Sequence, residues 1–261
     1  MIRRLPVILV LAATVAMLLA ACNGATTGPA LTDPKAIVTA ALTSTESAKS
    51  VHLDITVDGK AIVALPVAGS TGTPLDLTGT TASADVDLAK RAARATFSVP
   101  AMLNLAGEVI AVDGKSYVKT TLTGPLYQES ASGALPVDPS NARALIDNLG
   151  DLLLKPGVNL TKGDDVACGS KSCYTVTADL TAADLGTNGA AVSGLPVDLA
   201  GATLKLTIRV EKDLPYHLAG VTAILSMPAE AKLTMDVTAS KWDEPVSISA
   251  PSADKVKPAG S

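Results

Sequence analysis

Three cysteines, two histidines and a moderate excess of carboxylates are the side chains in this chain with the most chemistry to offer. Cys22 ends the run Leu19-Ala20-Ala21-Cys22, in which an aliphatic residue and two small ones precede a thiol. That is the pattern of a bacterial lipobox, where small side chains suit a narrow peptidase subsite and the thiol accepts a diacylglyceryl group. Upstream, Arg3 and Arg4 form a positive n-region, and Leu5 to Leu19 form an apolar stretch broken only by Pro6 and Thr14. The stretch is shorter than the roughly 20 apolar residues of a membrane span and matches a secretory signal. An ordinary signal peptide with a coincidental cysteine is the other reading. Position, flanks and residue types together favour lipidation, with Cys22 as the mature N-terminus.

The other cysteines stand in Ala167-Cys168-Gly169-Ser170-Lys171-Ser172-Cys173, bracketing a turn-rich tetrapeptide. Outside the cytoplasm such a pair favours a disulfide that pins a hairpin. A metal site would want further Cys or His ligands at fixed spacing, and His52 and His217 lie far off in sequence. His52 sits on the polar side of an alternating segment beside Asp54. His217 follows Pro215 and Tyr216 in a turn. Both read as structural, and no metal, cofactor or catalytic residue is assigned.

Nucleophile-elbow, zinc-protease and paired-cysteine zinc patterns are missing from the sequence. The tripeptide Gly114-Lys115-Ser116 suggests a phosphate loop, but that loop needs glycine at position 109, where Val109 stands. The sequence therefore does not read as an enzyme.

Loss of Arg3 and Arg4 with the leader takes the net charge from −4 to −6. That sign argues against nucleic acid, or an anionic membrane surface, held by charge. Residues 23 to 31, small and polar with glycine and proline, read as a flexible tether. Asp33-Pro34 supplies an N-cap and a first-turn proline for a helix running to about Ala48. Alternation then marks strands at Val51, Leu53, Ile55 and Val57, and again at Ala82, Ala84, Val86 and Leu88. Asp113-Gly114 joins two strand-like runs as a hairpin turn. A second helix opens at Asp138-Pro139 and reaches Leu154. Strands resume at Tyr174–Leu180, Leu204–Val210, Val221–Leu225 and Leu233–Val237. This order, without regular βαβ alternation, predicts an α+β fold: one large antiparallel sheet with helices gathered on one face. The Pro- and Gly-rich segment 64–80 reads as a rim or lid loop, or as a long turn.

Lipobox, tether, helix, the hairpin Val112-Asp113-Gly114-Lys115-Ser116-Tyr117-Val118, the turn Asp213-Leu214-Pro215-Tyr216-His217 and the ending Trp242-Asp243-Glu244-Pro245-Val246-Ser247-Ile248 occur in this order. Together they resemble the mycobacterial LppX/LprG group of lipoproteins over residues 32–251. The resemblance implies a strongly curved antiparallel half-barrel with helices over its concave face, and a final strand at the Trp242 segment. It also implies an apolar cavity carrying acylated lipid or lipoglycan, with a membrane lipid transporter as a further partner. In composition the chain is 48% hydrophobic but 2% aromatic. Small aliphatic side chains on a curved sheet can leave room for acyl chains or can pack as a dry core, and the residues alone leave that open.

The organisation expected is a signal peptide over 1–21, lipidated Cys22 and tether over 22–31, a carrier-like domain over 32–251 and a polar tail over 252–261. The cavity lining implied by the resemblance is Val51, Leu53, Ile55, Val57, Val176, Leu204, Leu206, Ile208, Val210, Val221, Leu225, Leu233, Met235 and Val237. A filled-core envelope scaffold, or a lipid-sensing transporter subunit, is the rival role. Lipidation has a direct consequence: Cys22→Ala should release the protein from membranes, and its persistence in a salt-washed membrane pellet would show the lipobox reading wrong.

Overall fold

From Ser50 onward, alternating residues build strands whose two faces differ sharply in polarity. The computed structural model describes residues 28–63, 73–131, 142–185, 201–228 and 231–257. Cys22, the leader and the start of the second helix lie outside the described residues. The first helix, α1 (Pro34–Ser47), is capped by Asp33, whose carboxylate accepts from the Lys35 and Ala36 amides at 3.3 and 3.2 Å. It buries Ile37, Val38 and Ala41.

Strands β1 (Ser50–Val63), β2 (Thr73–Asp76), β3 (Thr80–Asp87), β4 (Ala92–Val99), β5 (Leu105–Val112), β6 (Lys115–Thr120) and β7 (Gln128–Ala131) follow. Helix α2 (Ala142–Leu153) separates them from β8 (Leu160–Lys162), β9 (Val166–Cys168) and β10 (Lys171–Thr181). The single-turn α3 (Ala182–Leu185) precedes β11 (Thr203–Glu211), β12 (Leu218–Ser226) and β13 (Lys232–Ser240).

All of these strands join one antiparallel sheet in the order β7-β6-β5-β4-β3-β1-β13-β12-β11-β10-β8, with β2 paired to β1 and β9 to β10. The protein is therefore α+β, an open, curved half-barrel with helices on one face. Asp113 and Gly114 both take positive φ at the β5–β6 turn, as a two-residue hairpin requires. Cys168 and Cys173 are joined as a disulfide across the β9–β10 turn, with Cα atoms 5.9 Å apart.

Helix α1 lies against β8, β10, β11 and β12, and α2 packs against α1. Gly150 permits that approach: a Cβ there would stand 3.0 Å from a methyl carbon of Leu42. Leu153 of α2 is fully buried in the cluster that holds Ile37 and Val38.

Two segments differ from the sequence reading. Part of the expected 64–80 loop is strand, because residues 73–76 pair with β1 from Lys60 to Val63. The ending at Trp242 is not a strand. Strand β13 already has β1 and β12 on its two sides, so no edge is free there, and Pro245 and Pro251 lack N–H groups for a ladder.

Instead the chain crosses the sheet on the face opposite the helices. It starts where Asp243 bonds the backbone of Lys49 and Ser50 at 2.7 and 3.1 Å. Ile248 packs on Ile110, Tyr117 and Tyr127. The segment expected as a polar tail stays attached, with Val256 bridged to Tyr127 and a short 3-10 turn at Ala253–Lys255.

Beneath this strap, Glu108 is the anchor of a charged network. Arg94 Nε lies 2.6 Å from Oε1, Tyr127 Oη donates to Oε2 at 2.6 Å and Lys119 Nζ is 3.2 Å from Oε2. Burial would raise the Glu108 pKa, but the bonds from Tyr127, Arg94 and Lys119 outweigh it and hold the carboxyl below its ordinary range. The stability this gives is present above the unfolded-state value near 4.5 and is lost as pH falls through the lower folded value. Glu108→Gln should therefore cost about 1–3 kcal/mol at pH 7 and flatten the acid limb of a melting-temperature profile, and an unchanged limb would remove Glu108 from this role.

Candidate functional site

Sheet register places the sequence-derived apolar positions on a single face. One row runs Ala82, Ile55, Val237, Val221, Ile208, Val176 from β3 to β10. The next runs Val57, Met235, Ala223, Leu206, Ala178, Leu160 from β1 to β8. Leu233, Leu225, Leu204 and Leu180 make a third.

Along these rows the covering changes. Val176, Leu204, Leu206, Ile208, Val210 and Leu225 are buried with Ile37, Val38, Ala41 and Leu153 in one packed cluster. Ile208 is 1% exposed and Val176 0%. Val51 is buried too, but in a separate cluster with Ala48, Val86 and Ala93. By contrast Leu53, Ile55, Val57, Val221, Leu233 and Val237 are only half-buried, and Met235 is 38% exposed. The sequence-derived list thus divides into a packed part beneath α1, a margin of Leu53, Val221 and Leu233 partly buried against the two clusters, and a looser part at Ile55, Val57, Met235 and Val237.

The same rows extend onto strands that the sequence list left out. Ala84, Ala95, Val109 and Val118 continue the row of Leu53, and Phe97 and Gly107 continue that of Ile55. Phe97 lies across Gly107, where a Cβ would come within 2.7 Å of its ring. Alternation in Ala93-Arg94-Ala95-Thr96-Phe97-Ser98 carried that information, muted by alanines whose small side chains give little contrast. A cleft of about 430 Å³ opens between the helices, lined by Thr45, Glu46, Ile146 and Asp147.

On β1 and β3 the opposite face is polar. His52 Nδ1 lies 2.6 Å from Asp85 Oδ1, and its Nε2 is 3.5 Å from Ser83 Oγ. Ser83, His52 and Asp85 stand in the order of an acyl-transfer triad. Two features oppose that chemistry. Asp54 reaches the same Nε2 at 3.4 Å, and Ser83 and His52 lie within paired strands, whose ladders engage the backbone N–H groups an oxyanion hole would use.

His217 is buried and stacks on Trp242, with centroids 4.9 Å apart. Burial holds its pKa below the ordinary histidine value despite Glu211 and Asp243 nearby, as befits a packing residue. Among the described residues no group of three His, Cys, Asp or Glu side chains is placed to hold a metal.

The model of the LppX_LprAFG lipoprotein family matches residues 33–248, most of the chain. The protein belongs to the LppX_LprAFG lipoprotein family. Two mycobacterial structures of this kind share its fold. LprF from Mycobacterium bovis aligns with a TM-score of 0.58 at 19% identity, covering 84% of this chain and 97% of that one. Lipoprotein LppX from Mycobacterium tuberculosis aligns with a TM-score of 0.50 at 19% identity, over 84% of this chain and 100% of that one. No curated protein sequence matches this member of the family.

The division of the apolar face is measurable. Ile208→Ala should cost about 2–5 kcal/mol in urea unfolding, the ordinary loss for a buried aliphatic side chain, while Met235→Ala should cost no more than about 1 kcal/mol. Equal losses would show the face to be packed alike on both sides.

Proposed function

We propose that this family member is a lipoprotein, cleaved before Cys22 and acylated there, that binds acylated lipid or glycolipid on its half-open apolar face. It carries that lipid within the cell envelope, on the outer face of the cell membrane, and is not an enzyme. The observation behind this reading is the change in covering along one face. Positions equivalent by register are sealed under α1 at Ile208 and Val176, yet only half-buried at Ile55 and Val237.

Acyl chains laid on that surface would exchange bilayer contact for protein contact, each buried methylene being worth about 0.8 kcal/mol. A polar headgroup would remain at the rim, in water. The net negative charge fits a ligand held by apolar contact rather than a polyanion held by charge. Loading by a membrane lipid transporter is the partner this role calls for.

Ile208 and Leu225 lie in the packed part, so the informative positions are Val57 and Met235. Native mass spectrometry of the mature chain from an actinobacterial host should find acyl lipid bound. Met235→Trp and Val57→Trp should at least halve the lipid recovered while leaving the melting of delipidated protein almost unchanged. An empty wild-type protein that excludes apolar dyes would favour the filled-core scaffold instead.

A further inference from the structure

Two neighbouring hairpin turns hold four of the eight large apolar side chains that are exposed among the described residues. In the β4–β5 turn Met102 is 48% and Leu103 88% exposed, and in the β6–β7 turn Leu122 is 69% and Leu126 38% exposed. The turns are adjacent, because the Thr121 amide donates to the Ala106 carbonyl at 2.8 Å and Thr121 Oγ1 accepts from the Ala106 amide at 3.3 Å. No charged residue occurs in either connection, from Pro100 to Asn104 or from Thr121 to Tyr127. Leu103 and Asn104 both adopt positive φ, at 55° and 56°, so a strained backbone presents a leucine to solvent.

Part of the backbone of these turns is paired from within. The Met102, Asn104 and Leu105 amides donate to Val99, Pro100 and Met102 carbonyls at 3.0–3.1 Å. Thr120 and Thr123 exchange hydroxyl and amide bonds in both directions, at 3.0 Å from the Thr120 amide and 3.1 Å from the Thr123 amide. The amides left over, those of Leu103, Leu122, Gly124 and Leu126 among them, would stay at headgroup level, where water supplies hydrogen bonds. Hydrocarbon can supply none, and each unpaired amide or carbonyl entering it costs several kcal/mol.

We infer that the turns at Pro100–Asn104 and Thr121–Leu126 are a membrane-docking surface that inserts Met102, Leu103, Leu122 and Leu126 into a lipid bilayer. Its place in the topology separates it from the acyl anchor. Residues 28–31 are held at the other strand ends, where Tyr216 Oη donates to the Pro29 carbonyl at 2.9 Å and Tyr174 Oη accepts from the Leu31 amide at 3.0 Å. The anchor and the turns therefore leave the sheet at opposite ends of its strands, so the apolar turns are placed to meet a second bilayer. This surface is independent of the lipid cavity and goes beyond the carrier reading.

The test uses the mature chain with Cys22→Ala, so that the acyl anchor does not contribute, and flotation with phosphatidylcholine vesicles. The protein should float, and Leu103→Ser with Leu122→Ser should lower its vesicle affinity at least about tenfold, because two large side chains no longer leave water. Melting should be unaffected by side chains so exposed. Binding should persist from low salt to about 0.5 M salt, since no charge in the turns is available to be screened. Failure of the parent protein to float, equal flotation of the double variant, or loss of binding in salt would each overturn the inference.

Discussion

Everything in this fold depends on β1 finding β13. The chain forms one meander from β3 to β7 and another from β10 to β13, and β1 lies between them as the strand they share. Its register, from His52 opposite Ser240 to Gly59 opposite Leu233, aligns the alternation of both halves. A slip by one residue would turn Leu53, Ile55 and Val57 to the charged face and carry His52 and Asp54 onto the apolar one. The inward residues leave little ambiguity. Ile55 meets Val237 and Ala82, while outward Thr56 meets Asp236 and Thr81.

The helices use this common face unequally. Helix α1 supplies Ile37, Val38 and Ala41 to the β10–β12 side, where stability is concentrated. On β3 and β4 the same face carries Ala82, Ala84, Ala93 and Ala95 beside Phe97, with Gly107 on β5, and these small side chains project less. One half is sealed and the other only partly covered, and the proposed binding of lipid would draw on the second. The charged face contributes in another way: Arg209 bonds both oxygens of Asp236, which also accepts from Thr222, tying β11, β12 and β13 together outside the apolar layer.

Strands with branched residues in strict alternation were legible in the sequence, as were the Asp33 cap and the Asp113-Gly114 turn, because each rests on local chemistry. Which apolar residues would be covered was not legible. Ile208 and Ile55 look alike in sequence, and only the path of α1 over β11 separates them. The strap escaped for a related reason. Val246 and Ile248 alternate with polar residues as a strand would, but the edges of β13 are already occupied. Glu108 likewise reads as one carboxylate among many until register brings Arg94 and Lys119 to its sides.

The strap has a mechanical meaning. It is fixed at one end to Lys49 and Ser50 and at the other to Tyr127, and between them it spans the outside of the bend. Curling the sheet more tightly lengthens that outer path, whereas relaxing the bend shortens it. A nearly inextensible chain so placed acts as a tie across the back of the bend, checking inward collapse while permitting expansion. A half-barrel without it could gain contact by closing on its own alanines, and the strap limits how far that can go.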